Sequence, residues 1–276
     1  DWSSDVCSSD LFTGSLRAGR ALFDAANSRP EPIPFFAEMG SVNPLFVLPE
    51  ALAQRGEAIA EGLAQSVNLG VGQFCTCPGL AIGVGSSDFD RFGELLRSRF
   101  SQAKAGRMLT PGIASAYGDA VAKIGATADV RVTAGSGEGP LPSLFETTSR
   151  TFLATPELHH EVFGPSTVLI RCNSQAELDD VARSLEGSLT ATLHGTEADL
   201  RAHGSLLKIL ARKAGRLIFN GYPTGVEVCA AMHHGGPYPS TTDPRFTSVG
   251  TAAIVRFSRP ICYQDFPAEF LPVELR

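Results

Sequence analysis

Nothing in this 276-residue chain approaches the ~20 consecutive apolar residues that a membrane-spanning helix needs. Positive charge is in short supply as well. The 23 Lys and Arg stand against 29 Asp and Glu, a formal net charge of −6, so no basic footprint for nucleic acid is present. Cysteine is sparse: six residues, at 7, 75, 77, 172, 229 and 262, are too few and too scattered for a disulfide scaffold in a chain this long. A reducing, cytoplasmic setting is therefore the expectation. Heptads and fixed-period repeats are missing, which sets coiled coils and solenoids aside. What is present is ordinary: 43% hydrophobic and 19% charged residues, the balance of a folded chain of one large domain or two ordinary ones.

The first residues stand apart. DWSSDVCSSDL is rich in serine and aspartate and joins abruptly to the well-patterned LFTGSLRAGRALFDAA. It lacks the basic start and apolar centre of a signal peptide. The string resembles translated sequencing-adapter sequence, so residues 1–11 are expected to be non-native. Its three aspartates account for half of the net negative charge, and the acidity is no clue to function.

Residues 16–28 carry helical spacing, and Pro30 and Pro32 end it before PIPFFAEMG, read as a short strand. A long helix is predicted from Pro49, with Leu52, Ile59, Leu63 and Val67 on one face. GLAIGVG is an apolar strand, and Ser86 to Asp88 offer caps for a helix with Phe89, Phe92, Leu96 and Phe100 inward. TADVRVTAG and SLFETTSRTFLAT alternate like strands. STVLIRCN, LTATLHG and RLIFNG read as further strands, with AELDDVARSLEGS and TEADLRAHGSLLKILARKAG as the helices between them. Beyond Asn220 the pattern loosens into Gly/Pro-rich loops and ends on GTAAIVRF, read as one strand before a Pro-rich tail. Such alternation predicts an α/β fold with a largely parallel sheet between flanking helices.

VGQFCTCPGL (71–80) is the chemically richest stretch. A C-x-C pair lacks the spacing of a zinc hook, and His159–His160 and His233–His234 are adjacent pairs that rarely converge on one ion, so no metal is expected. Redox chemistry favours C-x-x-C at a helix start. Cys75 lies between a predicted helix and a glycine-bounded strand, where free backbone amides suit a thiolate and an oxyanion. The loop alone leaves nucleophile and inert core residue both open. Glu38, flanked by apolar residues in FFAEMGSVNP, suits a general base whose pKa burial would raise. His233 and His234 read as loop residues before a Gly-Gly turn rather than as catalytic groups, and Cys172 and Cys229 as packing residues.

FTGS (12–15), AEMGSVNP (37–44), GQFCTCPG (72–79) and EVFGP (161–165), in that order, resemble the aldehyde dehydrogenase superfamily. Within it, the wording of these motifs and of NGYPTGVEVCAAMHHGGPYPST is most similar to the branch that oxidises 2-oxoglutarate semialdehyde. Succinate semialdehyde or a fatty aldehyde are the alternative substrates. The resemblance implies an aldehyde dehydrogenase catalytic domain at 37–235. A remnant of a Rossmann-like coenzyme domain would precede it at 12–36, and a C-terminal oligomerisation arm would follow at 236–276. It implies that Cys75 attacks the aldehyde, that Glu38 activates the water that releases the acid, and that the cofactor is NADP or NAD. Glu161 would bind the nicotinamide ribose, Phe163 would pack near the ring, and Gly14, Ser15, Met39 and Gly40 would border it. The small aldehyde is the expected partner, with a homo-oligomer, dimer or tetramer, for the full-length enzyme. Asn43–Pro44 reads as structural, and Cys77 stands where that branch usually has asparagine. The family's oxyanion asparagine and adenosine-ribose lysine fall upstream of residue 12, so the expectation is a fragment with little turnover of its own. A non-catalytic folded fragment and a cofactor-independent thiol hydrolase are the competing readings.

Overall fold

Short apolar runs become strands and the 3.6-residue patterns become helices in a computed structural model, which describes residues 9–276. The chain runs β1 (Asp10–Thr13), α1 (Leu16–Asn27), β2 (Phe35–Glu38), β3 (Pro44–Val47), α2 (Pro49–Asn68), β4 (Leu80–Val84), α3 (Ser87–Gln102), α4 (Pro111–Gly125) and β5 (Arg131–Ala134). It continues through β6 (Ser143–Thr148), α5 (Ser149–Ala154), β7 (Ser166–Cys172), α6 (Gln175–Ser184), β8 (Ser188–His194), α7 (Glu197–Ala202), α8 (Gly204–Leu210) and β9 (Ala214–Phe219). Seven strands form one sheet in the order β5-β6-β7-β4-β3-β8-β9, every neighbouring pair parallel except β5–β6. β1 and β2 form a separate parallel pair. Residues 1–8 of the stretch set apart on sequence lie outside the described residues, whereas Asp10 and Leu11 pair with Phe35 and Phe36. Among the described residues no helix is long and apolar enough to cross a membrane.

Successive strand residues feed opposite faces of the sheet, the period-2 geometry of a pleated strand. Leu45 and Val47 of β3, Ala81 of β4 and Leu169 of β7 join one core with α2 and α3. Phe46, Leu80, Ile82, Val168 and Ile170 join the other, with Leu178 of α6 and Leu206 and Leu210 of α8. Both faces are covered, so the central strands must be apolar throughout, which is why they read as unbroken hydrophobic runs. Ser86 caps α3 by accepting the Phe89 N–H, and Phe89, Phe92, Leu96 and Phe100 are all buried beneath that helix. Each such side chain contributes about 1.5–3 kcal/mol by leaving water.

The sheet departs from the sequence expectation in places where local pattern is ambiguous. Residues 143–155 are half strand, because the Thr148 hydroxyl accepts the Thr151 N–H and starts α5. The helix expected over 196–215 breaks at His203, whose backbone (φ −107°, ψ 32°) leaves the helical region beside Gly204. GTAAIVRF is not a strand but a 3₁₀ segment, Thr251–Phe257, with Ile254 and Phe257 exposed. Three elements escaped the pattern altogether: β1, which overlaps the stretch set apart; β3, only four residues beginning at Pro44; and α4, which Thr110 caps and Pro111 begins.

The motifs share one position. AEMGSVNP leads into β3, GQFCTCPG into β4 and EVFGP into β7, three neighbouring strands whose N-terminal ends lie side by side because the pairs are parallel. Asn43 ties two of these approaches together. It is fully buried, with φ 45°, a left-handed conformation that asparagine tolerates better than most residues. Its amide shares two hydrogens among the carbonyls of Ser41, Cys75 and Cys77 at 3.0–3.1 Å, while its oxygen accepts from the Ser41 and Thr190 hydroxyls. Asn43→Ala leaves buried carbonyls of the cysteine loop unpaired and places alanine in a left-handed conformation. We expect a loss of about 3 kcal/mol and a melting temperature lower by roughly 6 °C or more, read by calorimetry. A melt within about a degree of wild type would show that the clamp does not hold the loop.

Candidate active site

The cysteine loop is shaped by backbone contact before any chemistry is considered. Gly72 has φ 64°, and a Cβ there would come within 2.2 Å of the Gly164 carbonyl carbon, so glycine lets the Gly-Gln-x-Cys loop press on the Glu-x-Phe-Gly-Pro loop. The Cys77 N–H then donates to the Phe74 carbonyl and closes a turn around Cys75. The two sulfurs part company there. Cys77 Sγ lies 3.8 Å from the Val67 carbonyl and 3.9 Å from that of Gly164, packed against the core. Cys75 Sγ lies 3.4 Å from His234 Nε2.

Glu38 ends β2, and the segment 240–248 lies along that strand. Met39 N–H donates to the Ser240 carbonyl, the Thr242 N–H to Ala37, and Thr241 forms a bridge opposite Glu38. The same segment carries Ser248 to the Glu38 carboxylate, with Oγ donating to Oε2 at 2.6 Å. His234 is held just before it, its N–H on Thr247 Oγ1 and its carbonyl accepting the Ser248 N–H. Its Nε2 is 3.2 Å from Glu38 Oε1. Both side chains are buried. His234 Nδ1 has no partner whereas Nε2 faces a carboxylate, so the ring proton belongs on Nε2 and is donated to Glu38.

These contacts correct two expectations. His234, read as a plain loop residue, sits between the Cys75 sulfur and the Glu38 carboxylate. Ser248 was not singled out at all. The signal for His234 was the Gly-Gly after it: a Cβ on Gly236 would approach the Ser188 carbonyl within 2.3 Å, so glycine lets this loop close on the sheet edge. The Glu38 pKa is also not raised. Burial pushes it up, but hydrogen bonds from His234 and Ser248 outweigh burial and hold it below the ordinary value. The raised carboxyl is Glu161, pushed up by burial to about 7 and only partly relieved by the Ser41 N–H. Burial, reinforced by the Glu38 charge, pushes the Cys75 thiol up to about 12, against a small lowering by its own backbone N–H. At neutral pH the sulfur is a thiol beside an ionised carboxylate, an acid facing its base.

The remaining sequence candidates fall around this centre. Gly40 has no side chain, and a Cβ there would come within 2.9 Å of Glu161 Oε2, so Glu161 folds in over the AEMG backbone. The Gly14 N–H donates to the Glu38 carbonyl, and Ser15 caps α1 through the Ala18 N–H. Met39 is buried against α1, leaving its backbone on the site side. Phe163 is partly exposed. Cys172 is core.

The geometry has counterparts among known proteins. At 49% identity over 271 residues, covering 96% of this chain and 51% of the relative, the chain is similar to alpha-ketoglutaric semialdehyde dehydrogenase 2 of Azospirillum brasilense. It is 47% identical over 272 residues to the alpha-ketoglutaric semialdehyde dehydrogenase of Acinetobacter baylyi, covering 96% of this chain and 52% of that one. The chain thus spans about half the length of the curated relatives it matches. Among solved structures, a Thermus 1-pyrroline-5-carboxylate dehydrogenase with bound NAD shares the fold, with a TM-score of 0.72 at 21% identity over 90% of this chain and 49% of that one. The model of the aldehyde dehydrogenase family matches residues 9–257 and so takes in every motif described above; the chain belongs to that family.

Proposed function

We propose that this chain serves the oxidation of 2-oxoglutarate semialdehyde to its carboxylate with NAD(P)⁺, through a thiohemiacetal and then a thioester on Cys75. The observation that carries the reading is the convergence of Cys75, His234 and Glu38 within hydrogen-bonding range. The near-50% identity to two dehydrogenases named for that aldehyde supports the substrate.

The residues fit a dinucleotide at its nicotinamide end. Glu161 offers a carboxylate for ribose hydroxyls, Gly40 leaves room against it, and Phe163 offers a partly exposed aromatic face. The Gly14–Ser15 and Met39–Gly40 backbones approach the same corner through the Gly14 contact to Glu38. When bound, NAD(P)⁺ supplies the acceptor for the aldehyde hydrogen as hydride. Every other step belongs to the chain. Glu38 takes the Cys75 proton as the sulfur adds to the aldehyde carbon, and the Cys75 N–H, already turned toward its own sulfur, faces the new oxyanion. His234 holds Glu38 in line by donating Nε2–H to it, with Ser248 fixing the second oxygen. Once Cys75 is acylated, Glu38 removes a proton from the water that attacks the thioester. The apolar side chains exposed at Ile254, Phe257, Ile261 and Phe270 support a role for segment 236–276 in a homo-oligomer, dimer or tetramer.

Protection of Cys75 from iodoacetamide alkylation by 2-oxoglutarate semialdehyde, succinate semialdehyde or a fatty aldehyde, mapped by peptide mass, tests the nucleophile and the substrate together, because a thiohemiacetal occupies the sulfur. Protection is expected at Cys75 and should be strongest with 2-oxoglutarate semialdehyde. Protection confined to other cysteines, or a preference for another aldehyde, would overturn the corresponding part.

The role of His234 has its own signature. Hydrogen bonds hold the Glu38 pKa down, so the carboxylate base persists to low pH and is lost as pH falls through that depressed value. In His234→Ala that pKa rises, and the acid limb of Cys75 acylation by an activated ester moves to higher pH, with a rate lower by about 10²-fold near neutrality. His234→Gln keeps an N–H donor and should keep the limb near wild type. Identical profiles for the alanine and wild-type proteins would remove His234 from the mechanism.

A further inference from the structure

Three ligand-type atoms of three different chemistries meet where sequence spacing excluded a metal. Cys75 Sγ, His234 Nε2 and a Glu38 carboxylate oxygen all lie within 4.8 Å of one another, the one such group among the described residues. Zinc bonds of about 2.3 Å to sulfur and about 2.0–2.2 Å to nitrogen or oxygen give a tetrahedron whose S–N edge is about 3.5 Å and whose N–O edge is about 3.4 Å. The observed separations are 3.4 Å from Sγ to Nε2 and 3.2 Å from Nε2 to Oε1. An ion therefore needs little rearrangement of the first two ligands. Ser248 already braces the free oxygen of Glu38, and the His234 backbone is pinned by Thr247 and Ser248, an outer layer of the kind that orients metal ligands. Three protein ligands leave the fourth position open to water.

We propose that Cys75, His234 and Glu38 bind a thiophilic divalent cation, zinc foremost, and that the bound ion withholds the nucleophile. On binding, the thiol proton leaves to solvent and the sulfur lone pair is committed to the metal, with no oxidant required. His234 coordinates through Nε2, so its proton moves to Nδ1. The C-x-C spacing that argued against a zinc hook is irrelevant here, because Cys77 points into the core and the other two ligands come from residues 38 and 234. The binding does not depend on dehydrogenase chemistry; only its inhibitory consequence rests on the catalytic reading.

Zinc titrated into the metal-free chain against a chromophoric chelator decides it. We expect one equivalent bound, an affinity lower by at least about 100-fold in Cys75→Ser and in His234→Ala and by about 10-fold in Glu38→Gln, and no change in Cys77→Ser. Cobalt in place of zinc should show a thiolate charge-transfer band that Cys75→Ser abolishes. A readout that needs no variant is alkylation of wild-type Cys75 by iodoacetamide, mapped by peptide mass, which one equivalent of zinc should slow more than tenfold. Zinc binding that survives Cys75→Ser, or alkylation unchanged at saturating zinc, overturns the site. Failure of Cys75 to be alkylated without zinc instead overturns the nucleophile, and the chelator titration then judges the metal site alone.

Discussion

The parallel ladder that joins β3 to β4 and β4 to β7 is the constraint on which the site depends. Parallel pairing aligns the N-terminal ends of neighbouring strands, so whatever precedes each strand is delivered to one edge of the sheet. Glu38, Cys75 and Glu161 are separated by dozens of residues in sequence, yet each lies a few residues before one of these three strands. Ligands of open α/β sheets more often lie at the carboxyl ends. Here the candidate residues gather at the opposite edge, because they lie in the loops that enter the central strands. Asn43 then converts proximity into a fixed geometry by hydrogen-bonding the approach to β3 onto the cysteine loop.

Two carboxyl groups at this edge are driven in opposite directions by their surroundings. Glu38 is buried but receives donors from His234 and Ser248, so its ionised form is favoured. Glu161 is half-buried and has one backbone donor from Ser41, so desolvation wins and its pKa is pushed up to about 7. The division suits two tasks: a carboxylate available as a base, and a second that is costly to keep ionised until a polar ligand faces it. The Glu38 carboxylate sits beside a thiol that stays protonated, and a cation placed between those groups would be stabilised by the same arrangement.

Much of the fold could be read from the chain alone. The helices beginning at Leu16, Pro49 and Ser87 declare themselves by periodicity, the latter two also by Pro49 and Ser86 at their starts, and the buried strands by unbroken apolar runs. Elements decided by context were less legible. β3 is too short to show a pattern, α5 hides inside Thr/Ser alternation, and the apolar Thr251–Phe257 resembles a strand but pairs with none among the described residues. Propensity describes the residue, whereas pairing requires a free edge in the right place.

By itself the sequence determined the α/β architecture and membership of a family through four motifs in order, and it singled out Cys75 and Glu38 as candidates. It could do so because those motifs are local: each is a short string whose backbone demands, glycine for close approach and asparagine for a left-handed turn, are written in adjacent residues. Only the tertiary structure decided that His234 and Ser248 reach Glu38, that the Glu38 pKa is lowered rather than raised, and that Cys75 and Cys77 face different surroundings. The first two facts rest on contacts between residues 196 and 210 positions apart. A pKa and a ligand set are sums over neighbours in space, and spacing along the chain does not report them.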